Sequence, residues 1–176
     1  MPVAYHGRAS SVIVSGTEFR RPWGQVLLDP AANPKVPTFT PCKRLDIELE
    51  LGMFVTKPNN LGEQINVNSA STHIFGYVLM NDWSARDIQM WEYVPLGPFN
   101  AKNFATTISP WVVLASALEP FGVKGLENQT QLQNYLQENN PKNGLDINLT
   151  VDITSKSGFR RLHQLDSETV FVTEIY

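Results

Sequence analysis

Alternation with a period of two runs through "KRLDIELELG" (43–52), where Ile47, Leu49 and Leu51 fall on one side of an extended chain and Asp46, Glu48 and Glu50 on the other. The spacing predicts a half-buried strand over 45–51 with its leucines and isoleucine on a core. "SSVIVSG" (10–16) reads as a short apolar strand closed by Gly16, and "HIFGYVLM" (73–80) as a strand apolar on both faces. "SPWVVLASAL" (109–118) has the same character, and "LDINLTVDIT" (145–154) alternates strictly, which predicts an antiparallel strand with one wet face. Helix formers without alternation occur in "DWSARDIQMWEY", with Asp82 or Ser84 as cap and "VPLGP" as the stop. Residues 20–41 carry five prolines and read as a long surface loop. "KPNNLGE" (57–63) is turn chemistry, and 122–144 reads as a polar loop with a short helix around 129–138. Many strands and few helices predict a mainly β class with short helices, α+β.

The 176 residues, 42% apolar and 18% charged, suffice for one domain with a real core. A net charge of −3 without a basic patch sets nucleic-acid binding aside. The single cysteine, Cys42, excludes an intrachain disulfide and a cysteine zinc site, and favours a reducing compartment. No apolar run is long enough to cross a bilayer and no signal peptide precedes Tyr5, so no membrane role is expected. Asn128 and Asn148 begin glycosylation patterns, read here as chance matches.

Three like charges on one side of a strand repel one another. Two readings remain: a solvated face softened by Lys43 and Arg44, or a divalent cation held between Glu48 and Glu50. The second requires another carboxylate from elsewhere. Asp82 is a candidate, because it ends a strand that reads as buried. On a helix beginning there, Asp82, Arg86, Gln89 and Tyr93 would form one polar stripe, at i, i+4, i+7 and i+11. Such a stripe is commonly a solvated face; a tyrosine and a glutamine flanked by Trp83 and Trp91 also suit a site wall. Lys102 and Thr106 would point at the same place if helical, or Lys102 is a surface lysine. His6, His73 and His163 lack the close spacing of a metal cluster, and His73 reads as structural. There is no Gly-x-Ser-x-Gly elbow, and "GVKGLENQ" has the wrong spacing for a phosphate loop.

Together, "YHGRASS", "RRPWGQ", "LDIELELG", "VLMNDWSARDIQMWEYVPLGPF" and "KNFATTISPWV" resemble the fumarylacetoacetate hydrolase family, and within it the fumarylacetoacetases. The resemblance is strong from about Pro2 to Phe121 and weaker around 145–154. It implies a mixed β-sandwich roll, held incompletely here, with residues 1–155 as part of the catalytic domain and 156–176 as a divergent C-terminal tail. It implies hydrolysis of a carbon–carbon bond in a β-diketone acid, fumarylacetoacetate giving fumarate and acetoacetate in tyrosine and phenylalanine breakdown. Glu48, Glu50 and Asp82 match metal-binding carboxylates, with Lys102 and Thr106 in the magnesium-site motif. Lys102 is also the catalytic candidate, and Tyr5, Gln89 and Tyr93 match substrate-contacting positions. Arg86 is a candidate buttress for the carboxylates. Mg²⁺ or Ca²⁺ is the implied cofactor, and a cytoplasmic homodimer the implied assembly.

The family's other metal-binding aspartate, its catalytic histidine and a substrate arginine precede the "YHGRAS" motif, and a Gly-Thr substrate loop follows well downstream. None is matched in these 176 residues; His6 lies inside the motif and is not that histidine. The chain by itself is therefore expected to be inactive. A non-catalytic product that keeps part of the fold and the metal site is the competing reading. A related acylpyruvate hydrolase is another, against which "YHGRASS" argues.

Overall fold

The computed structural model describes residues 3–149 in full and the backbone of 152–155, 158–160 and 172–174. The described strands are β1 (Val12–Val14), β2 (Trp23–Val26), β3 (Thr38–Pro41), β4 (Leu45–Asp46), β5 (Leu49–Val55), β6 (Ile74–Asp82), β7 (Ser84–Ala85), β8 (Thr106–Ile108), β9 (Val113–Leu114), β10 (Gly122–Val123), β11 (Gly144–Leu145), β12 (Asp152–Ser155), β13 (Gly158–Arg160) and β14 (Val172–Glu174). The helices are α1 (Arg86–Glu92) and α2 (Ala115–Leu118), with a few 3₁₀ turns. The class is α+β and mainly β, as the hydrophobic pattern predicts. Among the described residues no helix is long and apolar enough to cross a membrane.

The chain divides into two compact units, one of 1–50, 79–110 and 150–176, the other of 51–78 and 111–149. In the first, β1 runs parallel to β8, with Val12 opposite Thr106. The end of β6 runs antiparallel to β8, with Asp82 opposite Thr106 and Met80 opposite Ile108. β4 pairs antiparallel with β7 through Leu45–Ala85 and Asp46–Ser84. Val26, Cys42, Leu45, Trp83, Ala85, Ile88, Ala101 and Ala105 form the core, with Ile13, Phe19, Ile47 and Phe104 against it. Trp83 is fully buried; its indole N–H donates to Thr107 Oγ1 at 2.9 Å, and its ring meets Phe19 at 4.9 Å between centroids. β2 crosses α1 so closely that a Cβ on Gly24 would stand 2.7 Å from Ile88 Cγ2, so a larger residue there would have to displace the Ile88 side chain. β12 pairs antiparallel with β13 and β14.

In the second unit, Gly76 and Tyr77 of β6 pair antiparallel with Leu114 and Val113 of β9, and β5 neighbours β6 in the strand order. Just beyond the ends of β5 and β6, the Thr56 N–H donates to the His73 carbonyl at 3.0 Å. β10 and β11 form a further antiparallel pair.

Several local expectations change. Residues 20–41 are not a continuous loop, because β2 and β3 pair antiparallel from Trp23–Pro41 to Val26–Thr38. Their prolines lie outside the strands or at the last position of β3, where a missing N–H costs nothing in the ladder. The carboxylate strand breaks at Ile47–Glu48, and Asp46 to Leu51 are all half-buried instead of alternating. The helix starts at Arg86, after Asp82 has ended β6, and no side chain caps it. Residues 109–118 hold the short exposed β9 and then α2, not a buried strand. β6 is mostly covered, although Phe75 is exposed. The expected strand at 145–154 resolves into Leu145 at the end of β11 and the start of β12, with 150–151 outside the described residues. The expected helix near 129–138 is one 3₁₀ turn, Asn134–Leu136. Most of the 156–176 tail lies outside the described residues.

Candidate functional site

Two backbone bonds place Glu48. Its N–H donates to Asn81 Oδ1 at 3.2 Å, and its carbonyl accepts from the Asp82 N–H at 3.0 Å. The strand break at 47–48 is thereby tied to the end of β6, and Glu48 comes beside Asp82. Glu50 follows on β5. One carboxylate oxygen from each of Glu48, Glu50 and Asp82 lies within 4.8 Å of the others. Thr106 is the cross-strand partner of Asp82, so the two side chains leave the same face of the sheet.

Cations answer these carboxylates. Lys102, only 3% exposed, sets its Nζ 2.7 Å from Glu48 Oε2, 3.0 Å from Asp82 Oδ2 and 2.6 Å from Ser84 Oγ. Its three N–H donors thus have three acceptors. The Arg86 guanidinium sits 2.7 Å from Glu48 Oε1 and 2.8 Å from Asp46 Oδ2, and also donates to Gln89 Oε1 at 3.2 Å. The Tyr5 hydroxyl donates to Asp82 Oδ1 at 2.6 Å, and Lys102 Nζ stands 5.4 Å from the Tyr5 ring centre.

The protonation balance follows. Burial pushes the Glu50 carboxyl up, and the charges of Asp82 and Glu48 push it further than Lys102 pulls it back. Burial also works against the Glu48 charge, but Lys102 and Arg86 outweigh it and hold this carboxyl below the usual range. The Tyr5 phenol is raised well above its ordinary value by burial, by its bond to Asp82 and by the surrounding carboxylates. Arg86 is held above its ordinary value: burial opposes its charge, and Asp46 and Glu48 more than offset that.

Tyr5, Glu48, Glu50, Asp82 and Lys102 border a cleft of about 1250 Å³, lined by residues 3–9, Val12, Glu48, Glu50, Met80, Asp82, Gln89, Tyr93, 95–98, Lys102 and Thr106. Every residue singled out for metal or substrate therefore reaches one cleft: Tyr5, Glu48, Glu50, Asp82, Gln89, Tyr93, Lys102 and Thr106. The stripe's geometry is corrected: Asp82 ends a strand, Arg86 and Gln89 are helical, and Tyr93 is the helix C-cap. Lys102 and Thr106 are likewise not helical; Lys102 sits in a turn and Thr106 opens β8. Among the described residues, Arg86 grips the carboxylates without lining the cleft. His6 lines it, while His73 is tied to the Lys57 carbonyl at 2.6 Å and His163 lies outside the described residues.

Sequence reasoning missed two residues. Ser84 reads in sequence as a helix cap, yet it is fully buried, accepts from Lys102 and donates to the Asp82 carbonyl at 3.1 Å. Asn81, whose Oδ1 holds the Glu48 N–H, is signalled in the sequence only by its position just before the strand-end aspartate.

As a donor set, three carboxylates and a threonine are hard oxygen ligands, suited to Mg²⁺ or Ca²⁺. Burial first, then the charges of Asp82 and Glu48, push the Glu50 carboxyl up despite Lys102, and a cation beside it would relieve both. The residues fit a divalent cation.

Residues 1–160 match the family model described as fumarylacetoacetate (FAA) hydrolase C-terminal. The chain is 67% identical over 160 residues to the fumarylacetoacetase of Aspergillus fumigatus, covering 90% of this chain and 37% of that protein. It is 55% identical over 153 residues to the fumarylacetoacetase of Homo sapiens, covering 87% and 36%, and 50% identical over 173 residues to that of Arabidopsis thaliana, covering 93% and 40%. The chain thus spans a little over a third of the length of these relatives.

Proposed function

The chain belongs to the fumarylacetoacetate hydrolase family, whose fumarylacetoacetase members are hydrolases, and we propose that its cleft binds a β-diketone acid and serves hydrolysis of a carbon–carbon bond, fumarylacetoacetate giving fumarate and acetoacetate. The observation that carries this reading is the convergence of Glu48, Glu50, Asp82, Lys102 and Tyr5 on one cleft. On the family resemblance, this step would belong to tyrosine catabolism and run in a cytoplasmic homodimer.

Glu48, Glu50 and Asp82, with Thr106 beside Asp82, would hold Mg²⁺ or Ca²⁺, which when bound supplies Lewis acidity to the oxygens of a β-dicarbonyl. Lys102, anchored on Glu48, Asp82 and Ser84, would keep a positive charge where the departing acetoacetate becomes an enolate, and a charge already fixed in place needs no reorganisation as the negative charge develops. Its burial keeps the ammonium from swinging out. The Tyr5 phenol, held protonated, orients Asp82 and offers a polar edge to the substrate. Gln89 and Tyr93 present amide and phenol groups to substrate carboxylates from the α1 side. Arg86, balanced between Asp46 and Glu48, fixes the outer oxygen of Glu48 so that its other oxygen faces Lys102.

Hydrolysis also needs an activated water, and general-base help is worth about 10²–10⁴ in rate. Of the cleft carboxylates, Glu48 and Asp82 are engaged with Lys102, and Glu48 also with Arg86; Glu50 is assigned to the cation, and the resemblance gives His6 no such role. The 176 residues by themselves are therefore expected to turn over slowly. The test follows loss of fumarylacetoacetate ultraviolet absorbance with the purified chain and Mg²⁺ or Ca²⁺, beside the A. fumigatus relative. Turnover within about tenfold of the relative would overturn this expectation, because it would require a general base within the 176 residues. Calorimetry decides the cation: Mg²⁺ or Ca²⁺ should give heat with the unchanged chain and little with Glu50→Gln. Equal heats would sink the metal assignment.

A further inference from the structure

Lys102 owes its place to a residue outside the cleft lining. Its neighbour Ala101, fully buried, is gripped from both ends of α1. Just before the helix, the Ala85 N–H donates to the Ala101 carbonyl at 2.9 Å. At its last residue, Glu92 Oε1 accepts from the Ala101 N–H at 2.7 Å and from the Phe99 N–H at 2.8 Å. The Phe99 carbonyl in turn accepts from the Lys102 N–H at 3.1 Å and the Asn103 N–H at 2.8 Å. The segment from Asp82 to Glu92 therefore carries two of the acceptors for the Lys102 ammonium and both clamps on the backbone that delivers it.

A carboxylate at the C-terminal end of a helix opposes the helix dipole, so α1 gains nothing from the charge of Glu92. Two charge-assisted bonds to amides of the following turn do use it. We infer that Glu92 is a positioning residue that fixes the Lys102 ammonium against Glu48, Asp82 and Ser84. The inference rests on the reading of the cleft as the reaction site, and it assigns Glu92 no contact with substrate.

The experiment uses the whole chain with ¹⁵N-lysine and follows hydrogen exchange of the Lys102 ammonium by NMR, its resonance assigned by its loss in Lys102→Met. Glu92→Ala should speed this exchange about tenfold, the scale of losing charge-assisted bonds that hold a buried group. Glu92→Asp, one methylene shorter, should do the same and serves if the alanine variant does not fold. Glu92→Gln keeps an acceptor oxygen at the same reach and should stay within about threefold of the unchanged chain. Ile13→Ala, a partly buried substitution on β1, controls for general loosening and should leave the exchange unchanged at a comparable loss of melting temperature. Unchanged exchange in Glu92→Ala and Glu92→Asp, no rescue by Gln, or equal acceleration in Ile13→Ala overturns the assignment. If neither Mg²⁺ nor acetoacetate moves the Lys102 resonance in the unchanged chain, the reading of the cleft fails instead, and the exchange rates still decide the clamp.

Discussion

Lys102→Met removes a buried cation from a cluster of three carboxylates and keeps most of the side chain's volume. The unchanged lysine is 3% exposed and lies within 3.0 Å of both Glu48 and Asp82. Without it, Asp82, 4% exposed, keeps the Tyr5 hydroxyl as its partner, and Arg86 remains on the outer oxygen of Glu48. Breaking a buried ion pair by removing one partner costs about 3–5 kcal/mol. For a chain of this size each kcal/mol is about 2–4 °C in Tm, so the variant should melt about 6–20 °C lower. A divalent cation can replace the missing charge, and at a concentration a hundred times its Kd it would return about 2.7 kcal/mol. In the unchanged chain the lysine already occupies oxygens of Glu48 and Asp82, so the same cation should raise Tm less. The assay is thermal unfolding by circular dichroism with and without MgCl₂, ionic strength matched by NaCl. A loss below about 1 kcal/mol would show that Lys102 contributes no more than a surface pair. An equal rise with Mg²⁺ in both proteins would show that the lysine and the cation do not share ligands.

Trp83→Ala should cost about 3–5 kcal/mol in urea unfolding, because it empties the centre of the core and takes the indole donor from Thr107; a loss under about 1 kcal/mol would contradict the packing. Burial, aided by Asp87, pushes the Cys42 thiol up from 9.0 to about 12, so it should resist alkylation in the native chain and react on unfolding. The folded state then holds this proton longer than the unfolded one, so stability is intact below pH 9 and falls between about 9 and 12; a Cys42→Ala chain with the same alkaline slope would refute this. Glu48 and Glu50 carry opposite signs. Glu48, held low, contributes stability at neutral pH that is lost as pH falls through its folded value, so Glu48→Gln should flatten the acid limb. Glu50, held high, opposes folding when ionised, so Glu50→Gln should melt higher than the unchanged chain at neutral pH without metal, and a lower Tm would refute the repulsion.

Local pattern determined a good deal of this protein. The apolar runs placed β1 and β6, and the absence of alternation after Trp83 placed α1, because periodicity is written in neighbouring residues. The like charges of Glu48 and Glu50, with the strand-end position of Asp82, mark these carboxylates as candidates from the sequence alone. Where composition alone had to choose, it failed: 109–118 is apolar enough for a buried strand, yet Ala115–Leu118 is helical and β9 exposed. The β2–β3 ribbon was hidden by prolines that pairing tolerates at strand ends, and it forms because Val26 is buried in the core and Gly24 lets β2 approach Ile88 of α1. Only the tertiary structure decided which charges meet. Lys102 as a surface lysine and Lys102 as the buried hub of Glu48, Asp82 and Ser84 have the same local sequence. The difference lies in the turn held by Glu92 and Ala85, and in Asn81 and Asp82 drawing the break at 47–48 against the end of β6. Those are hydrogen bonds between segments far apart in the chain, and no periodicity of neighbouring residues records them.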